Sequence, residues 1–385
     1  MAVRRAEHFE GEVRDLGSSG HGIVAHPSGR VFFVPGVWVG ERGEFEITEL
    51  KGRSGHARLI RLSESSPSRI TPPCPHHGFN SASCGGCPWQ FMDYAEQLRA
   101  KAQRVQRAVA KLDAAAVVQD IWGSPDVLGY RNRAQFKTDG KRLGYVAAGS
   151  RSLVDIDDCL VLNEANRQTL SELRAQLPNP QWRAPRGRDW TTLEIDDDLR
   201  SADIESNQRT PFRQGNSAQN TRMQAWLAQQ LGTGEVTSPV VELFAGAGNF
   251  TQVMVEQGFG QIVAVDSFGP AIATLESRSY RGVVTRHQDL WRAGAAQALA
   301  TELAAARTLV LDPPRDGLKT IDEFLQRGAA LQKIIYISCD VATWARDAGI
   351  AARHGFALEQ VQPLDLFPQT PHVELLTVLS RDSLP

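Results

Sequence analysis

Residues 240–266, VVELFAGAGNFTQVMVEQGFGQIVAVD, join two apolar strand-like runs through a glycine turn and a helical stretch. Short apolar runs without alternation are typical of strands covered on both faces, as in a parallel sheet. The pattern recurs downstream as TLVLDPP (308–314) and KIIYISCD (333–340), each run ending in a polar or proline-rich group. Strands alternating with helices from about Thr210 onward predict an α/β, Rossmann-like, doubly wound sheet, whose ligands bind at the carboxyl ends of the strands. The residues that carry chemistry are therefore sought at those ends.

At the first such end stand Glu242 and the turn glycines Gly246 and Gly248. Glycines let the backbone approach a ligand closely, and the following helix N-terminus offers free N–H donors. The next strand ends at Asp266, where a carboxylate can bind both hydroxyls of a ribose. These features fit any adenosine-containing cofactor, since dehydrogenases and methyltransferases share such a turn. Two details favour S-adenosylmethionine: the third glycine of the dinucleotide fingerprint is missing, and HQDL (287–290) offers Asp289 after a third strand as an adenine contact.

The later strand ends carry reactive groups. The D-P-P sequence makes a rigid loop that can present carbonyls and the Asp312 carboxylate to a planar, amide-like ring. Amino-methylating enzymes use similar loops, so this motif alone leaves the target atom open. KIIYISCD then ends on Cys339, beside the cofactor rather than in the core. Carbon 5 of a pyrimidine becomes nucleophilic only after something adds to carbon 6, and a thiolate is well suited to that reversible addition. The proton on carbon 5 must afterwards leave, and FPQTPHVELL (367–376) supplies Glu374 and His372 as candidate bases.

Upstream, GEVRDL, GHGIVAHPSGRVFFVPG, GEFEITEL and HARLIRL read as short strands broken by glycine turns. Alternating positions such as Val31, Phe33, Phe45 and Ile47 predict a small antiparallel barrel of the OB type over 1–62. SESSPSRITPPCP (63–75) marks a boundary. A mixed α+β central domain is expected over 63–205 and the methyltransferase-like domain over 206–385. A helix starts at Asp93, where Asp93 and Glu96 form a D-x-x-E variant of the capping box and Leu98, Ala102, Val105, Val109 and Leu112 share one face. Bases outnumber acids between Arg99 and Arg151, with Lys101 and Arg104 among them. A basic face there could hold phosphates, with Arg131, Arg133 and Lys137 as candidate RNA contacts.

The whole chain of 385 residues has a formal charge of −2, 42% hydrophobic and 22% charged residues, the balance of an ordinary globular protein. Neither a membrane span nor an export signal is read from it, so a cytoplasmic location is expected. An odd set of five cysteines without such a signal points to metal binding or catalysis rather than disulfides. Cys74, Cys84, Cys87 and Cys159 make a four-thiolate set suited to zinc or to an iron–sulfur cluster, and spacing alone does not separate the two.

VELFAGAGNF, LDPPRDG, YISCD and LFPQTPHVELL together resemble the motifs of the RNA 5-methyluridine methyltransferases, and the resemblance runs nearly end to end. It implies that the barrel is a TRAM domain, with GVWVGERGEFEI (36–47) at the position of that domain's P-G-E turn. It implies Cys339 as nucleophile and Glu374 as proton-abstracting base, leaving His372 as a neighbour. Phe212 and Gln214 in PFRQGN resemble the family's cofactor and substrate segment, and Asp312 its ring-orienting aspartate. Asp340 stands where the family usually has asparagine. The resemblance also implies a [4Fe-4S] cluster on the four remaining cysteines, although nine residues separate Cys74 from Cys84 where the family pattern has five. The expected partner is RNA, ribosomal more than transfer RNA, acted on by a monomer. Alternatives are a tRNA uracil enzyme, a cytosine carbon 5 methyltransferase, or an inactive cluster-bearing RNA-binding protein.

Overall fold

The computed structural model describes residues 4–232 and 238–381. The chain forms two compact units: Met1–Ala100 with Asp126–Gln208 and Pro368–Pro371, and Lys101–Pro125 with Arg209–Phe367 and His372–Pro385.

The first unit opens with β1 (His8–Leu16), β2 (Gly22–Ala25), β3 (Val31–Val34), β4 (Arg42–Lys51) and β5 (Ser54–Glu64), closed into a barrel in the order β1-β2-β3-β5-β4. Val13, Val24, Phe32, Val34, Phe45 and Ile47 fill its interior. The face expected for β3 is thus off by one residue, because Phe32 and Val34 point inward while Phe33 packs against His56 with ring centroids 6.0 Å apart. All four positions of VFFV are apolar, so alternation carries no information there. Closure of β3 on β5 needs Gly55, where a Cβ would lie 2.3 Å from the Glu49 carbonyl oxygen and 2.7 Å from the Phe32 ring.

A four-stranded antiparallel sheet follows, β6 (Arg133–Thr138), β7 (Leu143–Val146), β8 (Leu153–Asp155) and β9 (Thr191–Asp196), in the order β8-β7-β6-β9. Its apolar face, with Phe136, Leu143, Leu193 and Ile195, buries Leu170 and Leu173 of the helix Glu164–Ala175. Four residues from late in the chain complete the unit. The Gln369 carbonyl accepts from Trp89 N–H at 3.0 Å, the Gln369 and Gln97 side chains meet at 2.9 Å, and the Tyr130 hydroxyl donates to the Pro368 carbonyl at 3.1 Å.

The second unit is built on seven strands, β10 (Val240–Leu243), β11 (Ile262–Asp266), β12 (Val283–His287), β13 (Thr308–Leu311), β14 (Lys333–Ser338), β15 (Ala357–Leu364) and β16 (Glu374–Ser380). Their order is β12-β11-β10-β13-β14-β16-β15, with β16 antiparallel to both neighbours and the other pairs parallel. This is the class I methyltransferase fold expected from the sequence. Strand order reverses between β10 and β13, which puts the ligand crevice beyond their carboxyl ends. Because β16 runs the other way, its amino end lies at that same edge.

The helix Tyr94–Leu112 begins as expected, with Asp93 Oδ1 accepting the Glu96 N–H at 2.8 Å. Glu96 does not return the bond; it accepts instead from Trp38 Nε1 at 3.0 Å and pairs with Arg99 at 2.8 Å. Within the second unit Lys101 leaves the basic face proposed for it: fully buried, its Nζ lies 2.6 Å from Asp365 Oδ1 and donates to the Phe367 carbonyl at 3.2 Å. A lysine just before the apolar position Ala102 looks solvent-facing in sequence, because its carboxylate partner is 264 positions away.

Candidate active site and thiol cavity

Glu242, on β10, is 2% exposed and accepts a 2.5 Å hydrogen bond from Thr251 Oγ1. Burial pushes its carboxyl up to about 8, against the pull of the Thr251 bond and with the help of the negative charge of Asp312. The turn that follows needs its glycines. Gly246 has φ 56° and nothing within 4 Å of where a Cβ would be, whereas Gly248 has φ 90° and a Cβ there would lie 2.5 Å from Leu275 Cδ1. One glycine thus borders open space and the other packs the turn against Leu275 of the helix Gly269–Ser277.

Asp266, at the end of β11, accepts from the Gly246 N–H and the Phe268 N–H, both at 2.8 Å. Asp289, exposed after β12, accepts from Trp291 N–H at 3.0 Å. Trp291 is a site residue that the motifs do not point to. Its ring lies 5.8 Å from that of Phe244, and its Nε1 donates to the Gly317 carbonyl at 2.9 Å, tying the Asp289 loop to the D-P-P-R-D-G loop. Its position two residues after Asp289 is the readable signal, since the indole N–H of a tryptophan usually finds a partner.

At the reacting end the β14·β16 ladder closes on Ser338 and Leu375, so Cys339 and Glu374 directly adjoin its last pair, and the Glu374 charge acts on the thiol. Asp312 follows β13 and accepts from Gln214 Nε2 at 3.2 Å. These acids crowd one another. Glu374, 4% exposed, is raised to about 8 by burial and by Asp312, and Asp312 to about 7 by burial. The half-buried Cys339 thiol is pushed up to about 12 by burial first and then by Glu374 and Asp312. The Arg315 guanidinium opposes the rise at both Cys339 and Glu374.

His372 meets Arg315 Nη2 at 3.0 Å through Nε2. Burial and the cations Arg315, Lys101 and Arg104 hold it down to about 4, so it is neutral at physiological pH and accepts the Arg315 bond. Arg315 escapes the sequence reading because the D-P-P-R motif draws attention only to its aspartate. Asp340 caps the helix Val341–Arg353, accepting from the Ala342 and Thr343 N–H groups at 2.9 Å, a role asparagine fills equally. Of the PFRQGN residues, Gln214 is the one drawn to Asp312. Phe212 is 64% exposed, and Asn216 caps the helix Ser217–Leu231.

In the first unit, Cys74, Cys84, Cys87 and Cys159 line a cavity of about 230 Å³. All four are free thiols. Burial raises Cys84 to about 11 and lifts Cys87 and Cys159 as well. Donors surround the sulfurs: the Gly86 nitrogen lies 3.4 Å from Cys84 Sγ and the Tyr145 hydroxyl 4.0 Å from Cys159 Sγ. His77 Nε2 is buried on the cavity wall without a hydrogen-bond partner. The long spacer is absorbed locally. Asn80 Oδ1 accepts from Ala82 N–H at 2.8 Å, and the Cys84 N–H returns to the His76 carbonyl at 2.8 Å. Among the described residues, no three of these ligand atoms lie within 4.8 Å of one another.

The three bases expected to face RNA have partners within their own unit. Arg131 lines the thiol cavity and donates through Nε to the Arg133 carbonyl at 2.9 Å. Arg133 pairs with the buried Glu194, and Lys137 Nζ donates to Thr192 Oγ1 at 2.8 Å. Register explains this: Lys137 stands opposite Thr192, and Gln135 opposite Glu194, across the β6·β9 ladder. A strand that far along the chain is invisible to a local count of charge.

No protein-family model matches the chain. It is 45% identical over 380 residues to an uncharacterized RNA methyltransferase of Nitrosomonas europaea, covering 97% of each chain. It is 30% identical over 390 residues to an uncharacterized RNA methyltransferase of Bdellovibrio bacteriovorus, covering 96% of this chain and 94% of that one. The 23S rRNA (uracil(1939)-C(5))-methyltransferase RlmD of Chromohalobacter salexigens is 28% identical over 443 residues, with 96% and 89% covered. Among solved structures, the tRNA (uracil-54, C5)-methyltransferase of Pyrococcus abyssi in complex with S-adenosyl-L-homocysteine superposes with a TM-score of 0.69 at 20% identity, covering 96% of this chain and 100% of that one. At that identity the likeness speaks for the fold.

Proposed function

The chain belongs to the RNA 5-methyluridine methyltransferase family, and on that premise we propose that it methylates carbon 5 of a uridine in RNA through a covalent adduct to Cys339. The observation that carries this reading is the β14·β16 ladder, whose last pair, Ser338 and Leu375, adjoins a lone thiol and a buried carboxyl that act on each other at the cofactor edge of the sheet. Bound S-adenosylmethionine supplies an electrophilic methyl group there. Glu242, Gly246, Gly248, Asp266 and Asp289 are the residues that would hold it, with the open space at Gly246 leaving room for a ligand against the backbone. Phe212 is assigned to the same segment of the site by family resemblance.

Cys339 gives its proton to solvent and adds to carbon 6 as the thiolate, and the displaced C5–C6 electron pair makes carbon 5 nucleophilic, conjugated with the carbonyl at carbon 4. Arg315 favours the thiolate, and Asp312 with Gln214 meets the polar edge of the uracil ring. Carbon 5 takes up the methyl group. Glu374 then removes the proton from carbon 5, the double bond re-forms, and Cys339 departs. His372, held neutral beside Arg315, orients that guanidinium instead of acting as the base. Because carbon 6 is inaccessible in a stacked helix, the uridine must be flipped out or come from a loop.

The four remaining cysteines fit a [4Fe-4S] cluster better than zinc. Tetrahedral zinc with bonds of about 2.3 Å needs sulfurs roughly 3.8 Å apart, closer than any three ligand atoms here. The cavity and its orphaned His77 nitrogen suit a larger, hydrogen-bond-accepting group. Its place in the first unit, on cysteine ligands alone, supports a structural role. Protein purified without oxygen should carry iron and acid-labile sulfide, both reduced in Cys87→Ser; stoichiometric zinc in their place would overturn this assignment.

Ribosomal RNA is the proposed substrate, supported by the full-length similarity to 23S rRNA uracil enzymes, and a cytoplasmic site of action accords with it. No helix among the described residues is long and apolar enough to cross a membrane. Mapping 5-methyluridine in total RNA from cells with and without the gene should reveal one lost position in 23S rRNA. Loss of a tRNA position would redirect the assignment, and no loss at all would refute the activity.

A further inference from the structure

Charge on the four-stranded part of the first unit is mostly cancelled. Arg133, Arg142, Arg151, Arg167, Arg174 and Arg200 each pair with an aspartate or glutamate. Arg131 and Lys137 are engaged as described above. Four exposed bases are left over, Lys141, Arg183, Arg186 and Arg188, and none has an ion-pairing partner among the described residues.

These four come from two turns that touch. The Asn179 N–H donates to the Gly140 carbonyl at 2.8 Å, and a Cβ on Gly140 would lie 3.3 Å from Arg183 Cγ. The second turn is anchored on both sides. Trp182, 7% exposed, is buried in the sheet's core, and Thr191 Oγ1 donates to the Arg183 carbonyl at 3.1 Å. Its tip is a tight turn in which the Arg188 N–H meets the Pro185 carbonyl at 2.9 Å across Gly187, whose φ is 81°. The acids nearest in sequence are already neutralised, Asp139 by Arg142 and Asp189 by Arg151.

We propose that Lys141, Arg183, Arg186 and Arg188 form a phosphate-binding edge that grips the backbone of the substrate RNA. The inference rests on RNA being the substrate. The anchored turns fix where the side chains start, and planar guanidinium groups match phosphate oxygens in pairs. No large apolar side chain is exposed within 183–188 to stack on a base, so the edge positions RNA without reading its sequence. It concentrates four unpaired cations on one border of a chain whose net charge is only −2.

The test compares the intact enzyme with K141Q/R183Q/R186Q/R188Q and with a control, R167Q/R200Q, that removes paired charges away from the two turns. RNA binding is titrated across salt concentration, and methylation is followed against RNA concentration. Each phosphate contact contributes about 0.7–0.9 to the slope of log affinity against log salt, so the fourfold variant should lose roughly three from that slope and bind roughly tenfold more weakly. The loss should fall on KM for RNA, with the control within about twofold of wild type. A wild-type slope and KM in the fourfold variant, or equal losses in the control, would overturn the edge. Wild-type protein that binds RNA with the expected salt slope but methylates none would instead refute the uridine activity while leaving the edge standing.

Discussion

Cys339→Ala should transfer no measurable methyl group to RNA, a loss on the order of 10⁶-fold, the scale seen when a covalent nucleophile is removed. Cys339 is a half-buried residue at a strand end, and losing one sulfur there leaves the ladder of β14 and β16 intact, so thermal unfolding should move little. The decisive companion measurement uses RNA carrying 5-fluorouridine. Wild-type enzyme can add to carbon 6 and methylate carbon 5 but cannot remove fluorine as a proton is removed, so a stable protein–RNA conjugate should accumulate. The alanine variant should form none. A variant that still methylates uridine, or wild-type protein that forms no conjugate, would mean that the thiol is not the attacking group.

Glu374→Gln should separate the two halves of the reaction. Addition and methyl transfer precede proton removal, so this variant should give a burst approaching one methyl per enzyme, trapped as a covalent adduct with ordinary uridine RNA. Continuous turnover should fall by roughly 10²–10⁴-fold, the usual contribution of a general base. The pH dependence has a definite sign. Glu374 must be ionised to accept a proton, and its carboxyl is raised to about 8, so wild-type turnover should climb from neutrality through about pH 8. That limb should vanish from the release step in the glutamine variant. Release of adduct by Glu374→Gln at the wild-type rate would exclude Glu374 as the base.

Stability runs the opposite way. A carboxyl raised from 4.5 to about 8 is more protonated in the folded chain than in the unfolded one, so its contribution is fullest below the unfolded value and is lost as pH rises through the folded one. Glu242 and Asp312 act in the same direction. Thermal unfolding of the ligand-free protein should therefore drop between about pH 4.5 and 8, and less so in Glu374→Gln.

The parts of this site that are legible in the sequence share one physical cause. Parallel strands buried on both faces read as apolar runs, so the polar residues ending them stand out, and Glu242, Asp266, Asp312 and Cys339 are all of that kind. Glu374 stands at the start of an antiparallel strand and is picked out by motif resemblance, its place near Cys339 depending on how β16 pairs with β14. What stays hidden depends on partners distant along the chain. Lys101 reads as a surface base until Asp365 is found beside it, and Arg133 and Lys137 read as free until β9 lies alongside β6. The inward face of β3 is undetermined because VFFV offers no polar residue to mark the outside. Trp291 and Arg315 sit next to residues that the motifs single out, but their roles depend on loops meeting in space.

Pro368–Pro371 completes the polar interior of the first unit although it is encoded between the last two strands of the second. During synthesis, Tyr130 and Gln97 emerge from the ribosome 238 and 272 positions ahead of the groups they will bond. The amino-terminal half therefore cannot mature as each piece is made, the usual route for a chain of several domains. Its final consolidation waits for nearly the whole polypeptide, and a chain released early, before residue 368, leaves buried donors without acceptors. Premature termination would thus leave the first unit without the groups that close its polar interior.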